Sequence, residues 1–372
     1  MSVAIQTLTD TYVPAVRDFN SRLSAAGVPF DLRFPELAVS DWLPKVEQRR
    51  LYQENFIVLE DGIMRGGFRL KRQDFSFKGD ILPIDCFHWP MSEAVINKAY
   101  SWLFMLMLRH AQRMQPLLYS LGMAGGEHTL IPRILKAAGW KVMTLPFFFK
   151  VNHPKTFLRE IQALRSGVIR SWLLDAAACT VIAPLAIDTI QSLRTAQGCA
   201  RTVAHLVHEF GSWADDLWNE CKDRYAMIAV RDSASLNLLY PAGKERFFKY
   251  KISREGKTLG WAVVLNTQMR GNKYFGNMRV GTILDCLALP QNASRVVYLA
   301  TRILEDSGVD LIVSNQSEAQ WCSAFGKAGF FRGPSNFTFG VSPDLGEMLA
   351  PFESAAQFVH MTRGDGEGPL HL

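Results

Sequence analysis

The residue best suited to acid-base chemistry is an aspartate inside a mostly apolar stretch. Asp285 lies within residues 279–289 (RVGTILDCLAL), where a carboxylate must be paired, hydrogen-bonded or shifted in pKa. We consider Asp285 as a general base for an amine acceptor. The alternative, which we favour because structural ion pairs also perturb carboxylates, is a pair with an arginine such as Arg279.

This feature occurs twice. The motif IDCFxxP, starting at Ile84, recurs as LDCLxxP from Leu284. The two aspartates, Asp85 and Asp285, are 285 − 85 = 200 residues apart. The recurrence predicts an internal duplication. It also favours a fold feature inherited by both copies over two separate active sites.

Length and charge set limits on the architecture and the partners. A chain of 372 residues exceeds the size at which one hydrophobic core usually stops growing, so two domains are expected. The net charge of +6 comes from scattered Lys and Arg residues. It favours an anionic ligand but predicts no nucleic-acid partner.

Cysteine usage and hydropathy bear on the compartment. The six cysteines are far apart, without a C-x-x-C pair or a histidine cluster, so no metal site or disulfide framework is indicated. The N-terminus lacks the features of a secretory signal. The apolar stretches 99–108 and 172–187 are too short, or interrupted by Asp175 and Pro184, to cross a bilayer, which takes ~20 apolar residues. We expect a cytoplasmic protein without a transmembrane segment.

Both halves of the chain show the same order of elements: a β-hairpin, a long apolar strand ending at a proline, a helix, a buried strand, a helix ending in glycine, and a closing strand. Glycines in the second hairpin strands, Gly66, Gly67 and Gly260, predict bulges or close backbone approaches. The first copy is predicted at residues 55–60, 64–70, 79–87, 93–113, 116–121, 130–138 and 144–151. The second is predicted at 247–253, 258–265, 279–289, 293–306, 310–314, 318–328 and 335–341.

This order predicts an α/β (α+β) fold class with two tandem domains, each a mixed, mainly antiparallel sheet flanked by helices. The predicted boundaries are 1–153 for the N-terminal domain, 154–200 for a linker and cross-over, 201–350 for the C-terminal domain and 351–372 for the tail. The glycine-rich end of the tail predicts partial disorder.

The order of elements resembles the GCN5-related N-acetyltransferase (GNAT) fold, twice, over most of the chain. The most specific likeness is in the second copy, where VSNQ, from Val313, ends a strand before a helix and the tripeptide AGF from Ala328. The stretch 225–250, which includes Arg231-Asp232 and Tyr240-Pro241, also resembles GNAT-like proteins of bacterial polysaccharide gene clusters.

The resemblance implies acetyl-CoA or another acyl-CoA as co-substrate. The acceptor would be a small-molecule amine, such as an amino sugar or another precursor of a cell-surface polysaccharide. In the family the donor lies where the long strand and its parallel neighbour splay apart, and its pyrophosphate meets the start of the next helix, whose dipole favours anions. Carried over to the second copy, this implies donor contacts at Leu287, Leu289, Gln291, Asn292, Ser294, Arg295 and Asn315.

These polar residues also have structural interpretations. Gln291, Asn292 and Ser294 could cap the helix after the proline instead of binding phosphate, and Asn315 could cap the helix that follows its strand. Ser314 has the same two interpretations, and we assign it to the acceptor side.

Two tyrosines complete the predicted acceptor site. Tyr240 and Tyr274 could stack on a sugar and hydrogen-bond to it. The alternative is ordinary packing within loops.

The chain departs from the family pattern in two respects. The glycine loop Q/R-x-x-G-x-G/A is replaced by QNASRV from Gln291 in the second copy and by MSEA from Met91 in the first, where Glu93 would oppose a pyrophosphate. The tyrosine that many members use to protonate the leaving thiolate is Phe325 in the second copy and Leu135 in the first, and neither donates a proton. We therefore predict a working second copy, which accelerates transfer by orientation, and a degenerate first copy.

Two other functions stay open. Loss of both glycine loops is compatible with a FemAB-like aminoacyl transferase, a class that resembles paired GNAT domains. The missing tyrosines and the aromatic helix 100–114 are compatible with a catalytically degenerate pair that binds a ligand or serves as an accessory protein. A homodimer is also left open.

Overall fold

A computed structural model describes residues 2–29, 32–47, 49–122, 128–162 and 201–366. Its strands are β1 (Val3–Thr7), β2 (Tyr52–Glu60), β3 (Ile63–Arg72), β4 (Asp74–Phe77), β5 (Asp80–Pro83), β6 (Asp85–Ser92), β7 (Leu118–Leu121), β8 (Lys141–Thr144), β9 (Phe147–Val151), β10 (Thr202–Val207), β11 (Met227–Ala229), β12 (Phe248–Arg254), β13 (Lys257–Gln268), β14 (Arg279–Ala288), β15 (Leu311–Asn315), β16 (Phe331–Gly333), β17 (Thr338–Val341) and β18 (Val359–His360). Its α-helices are α1 (Val13–Ala25), α2 (Leu103–Met114), α3 (Leu130–Ala137), α4 (Pro154–Glu160), α5 (Ser212–Cys221), α6 (Ser233–Leu239), α7 (Ala293–Asp306), α8 (Ala319–Lys327), α9 (Pro343–Met348) and α10 (Phe352–Ala355).

The chain folds into two compact units, each made of more than one stretch of sequence. The N-terminal unit consists of Met1–Phe75, Asp80–Thr144 and Asn336–Glu353. The C-terminal unit consists of Ser76–Gly79, Leu145–Ser335 and Ser354–Leu372.

Each unit is built on a seven-stranded sheet. The order is β1-β2-β3-β6-β7-β17-β8 in the N-terminal unit and β10-β12-β13-β14-β15-β9-β16 in the C-terminal unit. The parallel pairs are β6 with β7 and β14 with β15, and the other neighbours run antiparallel. The two sheets therefore have the same topology. The prediction of two tandem, mixed and mainly antiparallel sheets flanked by helices is confirmed.

The closing strands differ from the expectation that each completes its own copy. β9 lies between β15 and β16 in the C-terminal sheet, and β17 lies between β7 and β8 in the N-terminal sheet. Only Leu145 and Pro146 separate β8 from β9. A two-residue hairpin needs residues that tolerate positive φ, such as Asn-Gly, and Leu-Pro does not supply them. The chain therefore runs on instead of turning back, and the copies exchange their sixth strands.

The predicted linker, 154–200, and the predicted tail, 351–372, are each described only in part. The linker begins with α4, while the predicted cross-over and the apolar stretch 172–187 lie outside the described residues. The tail, expected to be partly disordered, is ordered as far as it is described, and Thr362, Gly364 and Asp365 are buried. Residues 367–372 lie outside the described range.

The glycine of strand β13 is required by close packing, as the sequence indicates. A Cβ on Gly260 would lie 2.6 Å from the backbone oxygen of Leu287 and 2.6 Å from Val296 Cγ2. The β12–β13 register also shifts next to Gly260. The backbone oxygen belongs to the centre of the sheet and cannot move aside cheaply.

We expect Gly260→Ala to lower the free energy of unfolding by about 1–3 kcal/mol, the usual cost of overpacking. Urea denaturation of the purified chain measures this. Gly326→Ala is the control, because Gly326 lies in helix α8 with no atom within 4 Å of the added methyl group. The control should be neutral or slightly stabilising. Equal losses for both variants would contradict the packing argument.

Candidate functional site

Asp285 lies at the centre of a buried polar cluster in the C-terminal unit. Its Oδ2 accepts hydrogen bonds from Arg231 Nε at 2.9 Å and from Tyr240 Oη at 2.7 Å. Its Oδ1 accepts from Thr362 Oγ1 at 3.0 Å and from the backbone N–H of Cys286 at 2.9 Å. Two oxygens offer about four lone-pair sites, so these donors saturate the carboxylate. The contacts favour the structural interpretation of Asp285, with Arg231 as partner instead of Arg279.

Local signals in the sequence position two members of this cluster. Arg231 follows strand β11, and the next residue, Asp232, caps helix α6 by accepting a hydrogen bond from Ser235 N at 2.7 Å. Tyr240 directly follows the last residue of this helix. A side-chain cap fixes where a helix begins. Here it fixes the start of α6, and Arg231 and Tyr240, on either side of the helix, both reach Asp285 on β14.

The remaining members come from the tail. Thr362 and Asp365 form a capping box, in which Thr362 Oγ1 accepts from Gly364 N at 3.2 Å and Asp365 Oδ2 accepts from Thr362 N at 2.7 Å. Asp365 Oδ1 accepts from Arg231 Nη2. A Cβ on Gly364 would overlap Tyr240 Oη, so glycine permits the close approach of this turn to the cluster.

Burial controls the protonation of the cluster. It raises the pKa of Asp285 above its ordinary value, and Arg231 opposes this rise. Burial also raises the pKa of Tyr240 well above its ordinary value, and the charge of Asp285 adds to the effect. Burial acts to lower the pKa of Arg231, but the charges of Asp285 and Asp365 hold it above its ordinary value. Arg231 therefore stays cationic and binds two carboxylates.

The tail also occupies the gap between the two parallel strands of this unit. β14 and β15 pair only from Val280–Leu311 to Thr282–Val313 and then separate. Beyond that point Thr362 pairs with Gln316, just after β15, and the Ser317 N–H donates to Met361 O at 3.2 Å. Thr362 also reaches Asp285 on β14. The splay predicted from the resemblance is present, and residues 359–365 of the same unit fill it.

The residues predicted to hold a pyrophosphate lie at the start of α7. Gln291 is exposed, whereas Asn292, Ser294 and Arg295 are partly exposed. No side chain caps the helix start, and Arg295 Nη1 donates to Asn292 Oδ1 at 2.8 Å. An uncapped helix start with a partly exposed arginine suits an anion.

The two leucines predicted to meet the donor differ in position. Leu287 is fully buried in β14, opposite Trp261. Leu289 is partly exposed directly after the strand. It lines a cavity of about 360 Å³ together with Asn219, Glu220, Asp223 and Arg224.

Ser314 and Asn315 make structural contacts at the end of β15. Ser314 Oγ donates to Ile283 O at 2.9 Å, which bridges the strands where they begin to separate. Asn315 Nδ2 donates to Pro146 O at 3.1 Å, while its buried Oδ1 has no hydrogen-bond partner. Neither side chain caps the next helix. The cap is Glu318, whose side chain accepts a hydrogen bond from Trp321 N at 2.9 Å.

The two predicted acceptor tyrosines lie far apart. Tyr240 is fully buried against Asp285, whereas Tyr274 is 40% exposed in the loop before β14. Tyr240 contacts Asp285, which is six residues along β14 from its first residue, Arg279. Six residues of strand span roughly 20 Å, and Tyr274 precedes Arg279. The structure does not bring Tyr240 and Tyr274 together in one pocket.

The N-terminal unit repeats the buried aspartate with other partners. Asp85 is fully buried and pairs with Arg50 at 2.6 Å and with Arg72 at 2.7 Å. Burial raises the pKa of Asp85, and both arginines oppose this rise. Each copy thus has a buried aspartate paired with arginine, but at different strand positions, since Asp85 pairs with Leu118 in the parallel ladder whereas Asp285 lies three residues beyond Thr282, where the ladder of its unit ends. The arginine partners support a structural role for each aspartate by itself.

Where the resemblance places the pyrophosphate of a first-copy donor, this unit has an acidic residue. Glu93 follows β6 and is buried. Its carboxylate pairs with Arg22 at 2.5 Å and with Arg65 at 2.9 Å. The two arginines thus already bind an anion supplied by the chain.

Among the described residues, no helix is long and apolar enough to cross a membrane, and no group of three or more His, Cys, Asp or Glu side chains could hold a metal ion. Of the four described cysteines, Cys86, Cys221 and Cys286 are buried and Cys322 is partly exposed.

Solved structures share this fold over almost the whole chain. N-myristoyltransferase of Saccharomyces cerevisiae with bound myristoyl-CoA superposes with a TM-score of 0.52 at 10% identity, covering 92% of this chain and 79% of that one. A probable N-acyltransferase from Enterococcus faecalis gives 0.51 at 10% identity, with 94% and 75% covered. A GCN5-related N-acetyltransferase from Anabaena variabilis gives 0.51 at 9% identity, with 91% and 72% covered.

The sequence itself matches no family model and no curated protein. At these identities the similarity shows the fold alone. The chain has a tandem GNAT-like fold, the fold of acyl-CoA N-acyltransferases, as the order of elements predicts. The resemblance to proteins of polysaccharide gene clusters stays a prediction.

Proposed function

We propose that the protein is an acyl-CoA-dependent N-acyltransferase that transfers an acyl group to an amine. The observation that carries this proposal is the separation of β14 from β15 after Thr282 and Val313, together with the helix α7 that follows β14 and starts without a side-chain cap. Similarity to N-myristoyltransferase with bound myristoyl-CoA over 92% of the chain supports it.

The start of α7 is the proposed position of the donor's pyrophosphate. The partly exposed Arg295 and the positive end of the helix dipole supply the attraction, and Gln291, Asn292 and Ser294 supply hydrogen-bonding groups. The structure fits this end of an acyl-CoA better than the other. The tail turn at Thr362 holds the gap between the strands, so an extended acyl-carrying arm would have to displace it.

The acyl-CoA would supply a thioester that an amine attacks. Phe325 and Leu135, at the positions of the usual general acid, are buried and apolar, so the proposal assigns acceleration to the orientation of the two reactants. Acetyl-CoA and an amino-sugar precursor of a surface polysaccharide remain the proposed donor and acceptor. A transfer assay with acetyl, medium-chain and long-chain acyl-CoA against amino sugars and amino acids would test both.

We expect Arg295→Gln to weaken acyl-CoA binding about tenfold, because a hydrogen bond to a charged group contributes about 1.5–3 kcal/mol and the group is partly exposed. Isothermal titration calorimetry of the purified chain with acetyl-CoA measures the Kd. Arg302→Gln is the control, since this arginine lies on the same helix and pairs with Glu305 at 3.1 Å. No binding to the parent protein at millimolar ligand would overturn the proposal, and equal binding by both variants would overturn this position.

A catalytically degenerate pair that binds a ligand or serves as an accessory protein is the second candidate. Two observations favour it. Thr362 occupies the gap between β14 and β15, and in the first copy Glu93 already pairs with Arg22 and Arg65. A FemAB-like aminoacyl transferase has no comparable support in the geometry, and copurification of aminoacyl-tRNA would be its signature. Absence of transfer from every acyl-CoA, with the fold intact, would favour the degenerate pair.

A further inference from the structure

The outer surface of helices α2 and α3 in the N-terminal unit carries a one-sided charge. Between residues 94 and 144 the chain has six Lys or Arg residues and a single acidic one, Glu127, which lies outside the described residues. All six basic residues are exposed. We define the basic face by five of them: Lys98, Arg109, Arg113, Arg133 and Lys136.

The sixth, Lys141, is left out because it packs against helix α9. Its Cγ lies 3.1 Å from the Cβ position of Gly346. That helix also carries the exposed Asp344 and Glu347, which offset the charge of Lys141.

The helical period places these basic residues on one surface. Trp102, directly before α2, and Arg109 and Arg113 on it are spaced by seven and four positions and lie opposite the buried side of the helix. α3 buries Leu135 in the same hydrophobic cluster as α2, so both helices cover the same side of the sheet. Their outer sides therefore face solvent together.

The same stretches of chain also carry exposed apolar side chains. Trp102 is 44% exposed, Val95 58% and Leu130 69%, and Ile96 and Met114 are also exposed. Single exposed apolar residues are ordinary, but five of them within the two stretches, 95–114 and 130–136, that also carry the five cations of the basic face are not. Tryptophan and aliphatic residues bordered by Lys and Arg are typical of surfaces that rest on a bilayer, where the apolar groups enter the headgroup region and the cations meet anionic lipid.

We propose that the basic face binds the surface of a bilayer that contains anionic lipids. The mode is peripheral, because no described helix can span a membrane. The apolar group favours lipid over RNA, which would use the cations but leave Val95, Ile96 and Leu130 in water. This inference does not depend on the proposed acyl transfer, since it concerns a surface outside the donor position.

Sedimentation of the full chain with vesicles tests the proposal. We expect binding to vesicles of phosphatidylcholine with phosphatidylserine, weak binding to phosphatidylcholine alone, and a decline with added salt. Each Lys or Arg at an anionic surface contributes about fivefold in affinity. Arg109→Gln combined with Arg113→Gln should therefore weaken binding roughly 25-fold.

Matched variants separate this surface from general charge. Lys257→Gln combined with Arg270→Gln removes the same charge from exposed positions of the C-terminal unit and should leave vesicle binding unchanged. Trp102→Ser should weaken binding without changing its dependence on salt. Equal binding to both vesicle types, or equal losses for the two double variants, would overturn the proposal. Binding of tRNA that depends on Arg109 and Arg113, without vesicle binding, would replace lipid by nucleic acid as the partner.

Discussion

Arg231→Met is expected to lower the free energy of unfolding by about 3–5 kcal/mol, the cost of breaking a buried ion pair from one side. Arg231 is 1% exposed and binds Asp285 and Asp365 at once. Methionine fills similar space but leaves two buried carboxylates close together without a cation. Denaturant unfolding followed by tryptophan fluorescence measures the change.

The loss should depend on pH. Burial already raises the folded-state pKa of Asp285, and removal of Arg231 raises it further. A raised folded-state pKa means that the stability due to the group is present at low pH and is lost as pH rises through that pKa. The gap in stability between Arg231→Met and the parent protein should therefore be smallest in acid and widen toward neutral pH.

Arg302→Met provides the comparison for this variant. Its guanidinium is half-exposed and pairs with Glu305 and Asp306 on the surface of α7, where an ion pair contributes about 1 kcal/mol or less. A loss at Arg231 no larger than the loss at Arg302, or a gap that narrows with rising pH, would contradict the role assigned to the cluster.

The duplication and the fold class could be predicted because their signals are local and occur twice. The Asp-Cys motif, the glycine of each second hairpin strand and the Gly-aromatic helix ends mark the same elements in both copies. The exchange of β9 and β17 could not be predicted in this way. The link Leu145-Pro146 disfavours a hairpin between β8 and β9. It does not specify which sheet β9 joins, and that choice is made by contacts distant in sequence.

The candidate site shows the same limit at the level of single residues. Asp285 stands out because a carboxylate in an apolar strand is unusual, and the need for an arginine partner follows from that. Which arginine is the partner cannot be predicted in this way, since Arg231 is 54 residues from Asp285 in the sequence. Asp365 lies 134 residues from Arg231, in a glycine-rich stretch whose composition predicts disorder. The capping box at Thr362 and Asp365 was the available local signal that this stretch is ordered.

Asp285→Asn separates the two interpretations of this residue. Each oxygen of Asp285 accepts two hydrogen bonds, from Arg231 and Tyr240 on one side and from Thr362 and the Cys286 N–H on the other. An asparagine places an NH2 group against two donors in either orientation. We therefore expect a loss of about 3 kcal/mol or more in the free energy of unfolding, because buried donors lose their acceptor beside an uncompensated arginine.

Asp85→Asn is the comparison for this prediction, since the N-terminal unit also holds a buried aspartate in the strand that pairs in parallel with its neighbour, with Arg50 and Arg72 as partners. If both aspartates are features of the fold, the two variants lose comparable stability, and any activity falls only with the folded fraction. A general base behaves differently. Asp285→Asn would then keep the stability of the parent protein, lose transfer and abolish the acid limb of the pH–rate profile, while Asp85→Asn stays active. Because four donors saturate Asp285, we expect the first outcome.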